Sequence, residues 1–202
     1  MGCVPERPAT SYAIAVRVQS DPGRPLAGAR VLHQGKAAGV SDERGLVKLA
    51  VQGAEGTTVS FGIECPEGHH SPSSPLAVVL RRATESNRHP EFAVLCPPLL
   101  RTVVVAVRAE RGANLPIVQL GREVGRTDRS GAAHVMLKSA PEETLELTLD
   151  TSSNPALRPR NPTTRFRVGQ SDDILVFNQA FNIETPRASR ASRRPSGPVR
   201  IQ

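Results

Sequence analysis

Five side chains between residues 65 and 96 could do chemistry together: Cys65, His69, His70, His89 and Cys96. Thiolates and neutral imidazoles are the ligands of structural zinc, and four residues from Cys65 to His69 is a workable ligand spacing. The set lacks the C-x-x-C and H-x-x-x-H pairings such sites use, so no metal site is expected. Cys65 follows one strand-like run, TTVSFGIE, and Cys96 follows another, EFAVL, and each precedes a proline. That arrangement favours a disulfide tying two strand ends, which implies an oxidising compartment. Two buried free thiols are the alternative. His69 and His70 then belong to a Pro-rich loop, PEGHHSPSSP, and are read as a possible interaction loop. His33 and His134 fall at strand positions, where a solvent-facing or half-buried imidazole is the default.

No catalytic residues are expected. The paired carboxylates Glu142–Glu143 and Asp172–Asp173 follow turn residues and read as tips between strands. A G-x-S-x-G elbow is absent, and so are the two glycine-rich phosphate signatures. No cofactor is implied. The third cysteine, Cys3, follows Gly2 and leads into VPERPATS, a polar tether. A bacterial lipoprotein signal ends in a small residue followed by the Cys that is lipidated and leads a flexible tether, so Gly2-Cys3 reads as that junction and Cys3 as a candidate for lipidation and membrane anchoring. No apolar run is long enough for a membrane-spanning helix.

The formal charge of +7 invites a polyanion reading, but five of those charges sit after Glu184. Residues 185–202 hold Arg187, Arg190, Arg193, Arg194 and Arg200 with no acidic residue. Such a tail can bind anions by counterion release, or can be a solvated segment with too little apolar content to fold. The rest of the chain is close to neutral and carries only Tyr12, Phe61, Phe92, Phe166, Phe177 and Phe181 as aromatics. It lacks the platforms on which bases stack, so nucleic acid is not the expected partner.

What positions these residues is a repeat. GKAAGVSDERGLVKLAV, from Gly35, returns as GREVGRTDRSGAAHVML, from Gly121, with Gly39/Gly125, Ser41/Thr127, Asp42/Asp128 and Gly45/Gly131 all 86 residues apart. Period-2 runs rich in Val, Ile and Leu, broken by Gly, Pro, Asp and Ser, predict seven short strands per copy and no helix. In the S/T-D-x-x-G turn, the Asp carboxylate is expected to accept backbone N–H groups two or three residues on. Gly45 and Gly131 are expected at positive φ, making each turn a hairpin of fixed register. The same residues could begin a calcium loop, but the alternating oxygen ligands it needs are missing.

Pro25–Val31 (P-x-A-G-A-x-V) followed by Gly35–Leu49 (G-x-x-x-G-x-S-D-x-x-G-x-V-x-L) resembles the carboxypeptidase-regulatory-like β-sandwich family and the PEGA-type surface domains of bacteria. In the second copy Leu115–Val118 replaces the Gly-Ala segment, and Cys65–Gly68 stands where PEGA-type domains carry a Gly-aromatic step. The resemblance implies accessory modules that space, stabilise or present, with no catalytic residues to carry over. The fold expected is therefore all-β: two tandem Ig-like sandwiches, residues 11–97 and 98–184, after a tether at 1–10 and before a disordered basic tail at 185–202. The function expected is a non-enzymatic structural or protein-interaction module of the bacterial cell envelope, periplasmic or outer-membrane, whose partner is another envelope protein. The alternative is a polyanion-binding adaptor acting through the Arg tail on nucleic acid or anionic lipid.

Overall fold

The computed structural model describes residues 10–82 and 89–184, and among these every regular element is a β-strand. The chain runs β1 (Thr10–Asp21), β2 (Arg24–Pro25), β3 (Arg30–His33), β4 (Lys36–Val40), β5 (Leu46–Gly53), β6 (Thr58–Glu64), β7 (Leu76–Val79) and β8 (Glu91–Leu95). The second series is β9 (Arg101–Glu110), β10 (Pro116–Gln119), β11 (Arg122–Arg126), β12 (Ala132–Ser139), β13 (Thr144–Leu149), β14 (Leu157–Arg158), β15 (Thr163–Arg167), β16 (Asp173–Ala180) and β17 (Asn182–Ile183). The fold is all-β and built from paired sheets. The seven strands read from each copy are present, and β10, β11 and β12 keep the bounds of β3, β4 and β5 at the 86-residue offset. Periodicity could not show the two-residue strands β2, β14 and β17, which are too short to alternate.

The chain forms two compact units. One runs up to Thr102 and takes in Lys138–Glu143 and Val168–Asp173; the other holds Val103–Leu137, Thr144–Arg167 and the chain from Ile174. In the first unit, one sheet has the order β2-β1-β5 with β8 also on β1, and the other has the order β4-β3-β6-β7. β1 pairs antiparallel with β5 from Thr10 to Arg17 and parallel with β8 from Ala15 to Gln19. Alternation on β1 turns Tyr12, Ile14, Val16 and Val18 inward, where they meet Val47, Leu49 and Val51 of β5 and Phe61 and Ile63 of β6. Burying a side chain of this size contributes about 1.5–3 kcal/mol, so the inward stripe alone specifies register.

The second series repeats the plan, with sheets ordered β12-β9-β16 and β11-β10-β13-β15 and a small β14-β17 pair. Val103, Val105, Val107 and Ala109 of β9 are buried, as are Leu145, Leu147 and Leu149 of β13, and Phe177 and Phe181 add aromatic bulk.

Arg101 ends the first unit in a way no sequence pattern announces. Its guanidinium is 3 % exposed and grips the Asp21 carboxylate through two nitrogens, at 3.0 and 2.9 Å. The partners are 80 residues apart, and burial of the pair is tolerated because the fork geometry satisfies both oxygens.

Candidate functional site

Apart from the carboxylate pairs, the residues singled out for chemistry settle mainly at two places: the repeated turn and the irregular loop that precedes β7 or β15. Both are built by side chains that spend their polar capacity on the backbone.

The tight hairpin of each repeat lies just ahead of the Asp. Gln34 and Gly35 take φ of 50° and 75°, and Leu120 and Gly121 take 49° and 77°. Two successive left-handed residues make the turn type whose twist matches paired strands, so β3-β4 and β10-β11 are the register-fixing hairpins. The S/T-D-x-x-G turn is not a hairpin, contrary to expectation. It carries the chain from β4 in one sheet to β5 in the other, and from β11 to β12 likewise.

Its hydrogen bonds show why the same residues recur. Asp42 Oδ1 accepts the N–H of Arg44 at 2.9 Å and of Leu46 at 2.8 Å, two and four residues on. The N–H three residues on belongs to Gly45 and goes to the Asp42 carbonyl at 2.8 Å. Asp128 repeats this with Ser130 N–H at 2.7 Å and Ala132 N–H at 3.0 Å. The Ser130 hydroxyl adds a bond at 2.6 Å and is the main reason that the Asp128 carboxyl is held below its usual range.

Gly45 and Gly131 do have positive φ, 71° and 84°. They are constrained a second time by close approach. A Cβ on Gly45 would lie 2.3 Å from the Val18 carbonyl oxygen, and one on Gly131 2.0 Å from that of Ala109. Each turn is docked on the central strand of the opposite sheet, where the Gly carbonyls accept Val18 N–H and Ala109 N–H at 2.7 Å.

Ser41 and Thr127 have the composition of ordinary turn residues, yet both are buried. The Ser41 hydroxyl accepts Ala29 N–H at 2.9 Å and donates to the Leu26 carbonyl at 2.8 Å. Thr127 accepts Leu115 N–H at 2.8 Å and donates to the Gly112 carbonyl at 2.7 Å. A hydroxyl amino acid at the same place in both copies was the available signal.

At the irregular loop, Cys65 and Cys96 are joined by a disulfide with Cα atoms 5.8 Å apart. It links the end of β6 to the end of β8, and so one sheet of the first unit to the other. Both thiols are thereby withdrawn from any metal set, and the described residues hold no group of three or more His, Cys, Asp or Glu side chains placed to bind an ion. His69 and His70 act through their backbone. His69 bridges Pro98, His70 N–H donates to the Pro97 carbonyl at 2.8 Å, and Leu99 N–H donates to the Gly68 carbonyl at 2.8 Å. The loop thus stitches down the segment that leaves the unit. The His70 ring is exposed and the His69 ring half-buried, its Nδ1 3.3 Å from the Glu67 carbonyl.

The equivalent loop of the second copy does the same work without sulfur. Thr151, at the position of Cys65, is buried; its N–H and hydroxyl donate to Asn161 Oδ1 at 2.9 and 3.0 Å, and its hydroxyl accepts Asn161 N–H at 3.1 Å. β14 pairs with β17, and an Arg158–Glu184 ion pair closes the stitch.

The carboxylate pairs are likewise spent on structure. Glu143 accepts from the Ser139 hydroxyl at 2.6 Å and Ala140 N–H at 3.1 Å, which holds its carboxyl below the usual range. Asp172 accepts Thr102 N–H at 2.9 Å and lies 3.7 Å from Arg24. Cys3 and the arginines from Arg187 to Arg200 lie outside the described residues.

No known protein family and no curated protein matches the chain. Among solved structures it is similar to the Bacillus anthracis TIE protein, with 15% identity and a TM-score of 0.39 over 86% of this chain. That alignment spans about a third, 34%, of the other protein. The shaft pilin SpaA from Lactobacillus rhamnosus GG aligns at 11% identity and a TM-score of 0.35, over 84% of this chain and 98% of the pilin. BcpA, the major pilin subunit of Bacillus cereus, aligns at 10% identity and 0.35, over 78% and 67%.

Proposed function

We propose that this chain is a non-enzymatic structural or protein-interaction module of the bacterial cell envelope, built to hold a fixed shape and present its surfaces. The observation that carries this reading is the Cys65–Cys96 disulfide spanning the two sheets of the first unit. Such a bond persists in an oxidising compartment such as the periplasm or the cell exterior. The side chains that could have served catalysis support the same view: Asp128, Asp172, Glu143, Ser41 and Thr127 each bond to a backbone group of their own fold. The resemblance of the S/T-D-x-x-G segment to carboxypeptidase-regulatory-like and PEGA-type modules extends this reading to an exported protein.

Thiol alkylation in intact and lysed native cells tests it. An envelope-fraction protein whose Cys65 and Cys96 alkylate only after reduction supports the reading, and a cytoplasmic protein with both thiols free overturns it. A second reading, polyanion binding, rests on the concentration of five of the seven net charges in residues 185–202. Heparin retention that disappears when those residues are deleted supports it; retention that survives deletion removes the tail from consideration.

A further inference from the structure

Alternation sorts the sheet β12-β9-β16 of the second unit into two faces. Val103, Val105, Val107 and Ala109 of β9 turn into the core, with Val135 of β12 and Phe177 of β16. The outer face therefore carries Val104 and Ala106 from β9, Met136 from β12, and Ile174 and Val176 from β16. Met136 is 71 % exposed, Ile174 69 % and Val176 55 %. Three large apolar side chains open to water on one small sheet face mark an interaction surface.

The first unit shows that the fold does not require this. Val18 and Ala109 donate the same ladder bond, to the Gly45 and Gly131 carbonyls, and Cys96 and Phe181 donate another, to those of Gln19 and Glu110. The face of β1, β5 and β8 is thus the counterpart of that of β9, β12 and β16. Carried along these ladders, Val104 answers to Ala13, Met136 to Ala50 and Val176 to Glu91. Glu91 bonds Arg17 across that face at 3.1 Å, and large apolar exposure among its described residues is confined to Leu95 at one end. With the ladders shared, the apolar patch is an addition made by the second copy.

Size, charge and symmetry indicate what covers it. Eight residues at about 3.3 Å and three strands at about 4.8 Å make a face of about 370 Å² in flat projection. Two such faces, with side-chain relief counted, bury about 1,000 Å², the low end for a specific interface. Arg108 and Glu110 follow the patch on the same face of β9, both exposed. Neither has an ion-pair partner among the described residues. One cation and one anion balance each other, so this end of the face does not repel a second copy of itself. A two-fold axis along β9 sets each Arg108 beside the other copy's Glu110. It also lays β12 over the other copy's β16, where unbranched Met136 can adapt to branched Ile174 and Val176.

We propose that the outer face of β12-β9-β16 is a homodimer interface, on which a second copy of this chain packs the same sheet about a two-fold axis along β9. The two sheets meet as the layers of a sandwich do, about 10 Å apart. The apolar patch supplies the attraction, and the crossed Arg108–Glu110 pairs at its end fix the direction in which the copies align. An interface at the low end of area makes the dimer a reversible one, formed at micromolar concentrations. This deepens the interaction-module reading and rests on it. Association of the purified chain and thiol state in cells are measured separately, so either can fail alone.

The test is sedimentation equilibrium of the full chain, its Cys3 alkylated without reduction so that no intermolecular disulfide imitates the dimer. A monomer–dimer equilibrium that stops at two is expected. Val104→Glu should weaken it at least tenfold, by burying a charge in the middle of the patch. Should Val104→Glu fail to fold by circular dichroism, Met136→Glu on the edge strand makes the same test. Ala50→Glu, at the matching place in the first unit, should leave association unchanged. Arg108→Glu should weaken it about fivefold, and adding Glu110→Arg to that variant should restore it, because the crossed pairs re-form with their signs exchanged. A chain that stays monomeric to about 500 µM, where a micromolar dimer is nearly complete, overturns the proposal. So does association that continues beyond two copies, that ignores Val104→Glu and Met136→Glu, or that Ala50→Glu weakens as much.

Discussion

The two copies share a turn and differ in a clamp, and the contrast separates what the fold requires from what each unit adds. In both, a buried Ser or Thr hydroxyl, an Asp that gathers two amides and a Gly docked against a carbonyl carry the chain from sheet to sheet. At the loop that holds the exit segment, the first unit uses sulfur, while the second uses the β14–β17 pair and the Arg158–Glu184 ion pair, with Thr151 and Asn161 bracing the loop itself. The turn admits one solution because a Cβ there would overlap a backbone oxygen. The clamp admits several, because it needs only to fasten a loop to the segment beside it.

Removing sulfur is the largest way to break this comparison. Cys65→Ala with Cys96→Ala should cost the first unit about 3–4 kcal/mol, given the 31-residue separation that the bond closes. Hydrogen exchange read unit by unit should show the loss in the first and little change in the second. Next come Gly45→Ala and Gly131→Ala, each expected to cost about 3 kcal/mol from positive φ and overlap together. Equal losses in both units, measured by denaturant midpoints, would sharpen the claim that the turn is a common device. Asn161→Ala should cost about 1–2 kcal/mol in the second unit alone, by leaving the buried Thr151 amide without its acceptor.

The smallest effect is electrostatic. Asp128 titrates below its usual range in the folded chain, so its contribution is fully present above the unfolded value of about 3.9 and is lost as pH falls through the folded value. Ser130→Ala should raise the folded pKa toward the ordinary one, and Asp128→Asn should flatten the acid limb of the denaturant midpoint between about pH 5 and pH 2. A carboxyl titration followed by NMR reads both.

The strands were legible because β structure writes itself into period-2 alternation, and the repeat supplied a second reading of each. The Asp and Gly of the turn were legible as types, but their geometry was not. A turn between two strands reads as a hairpin unless it is known which sheets the strands join, and that is decided by β1, far away in sequence. Ser41 and Thr127 share the problem, since their hydroxyls serve Leu26 and Gly112 across a loop. Arg101 looks like one more surface cation until Asp21 folds beside it. Proline at 90 was visible throughout, yet that it ends the ladder on β1 needed the parallel register that sets β8 beside Ala15–Gln19.

The parallel pairing of β1 with β8 has a mechanical consequence. Parallel strands enter at one end of a sheet and leave at the other, so tension applied at Thr10 and at Cys96 loads their ladder in shear, with its hydrogen bonds sharing the force. The disulfide then limits what rupture can release: the 31-residue stretch from Cys65 to Cys96 stays looped out of the load path. At about 3.5 Å per extended residue, that withholds roughly 100 Å of slack from a stretched chain. A unit cross-linked in this way pays out about a third less length when its ladder ruptures than the same strands would without the bond.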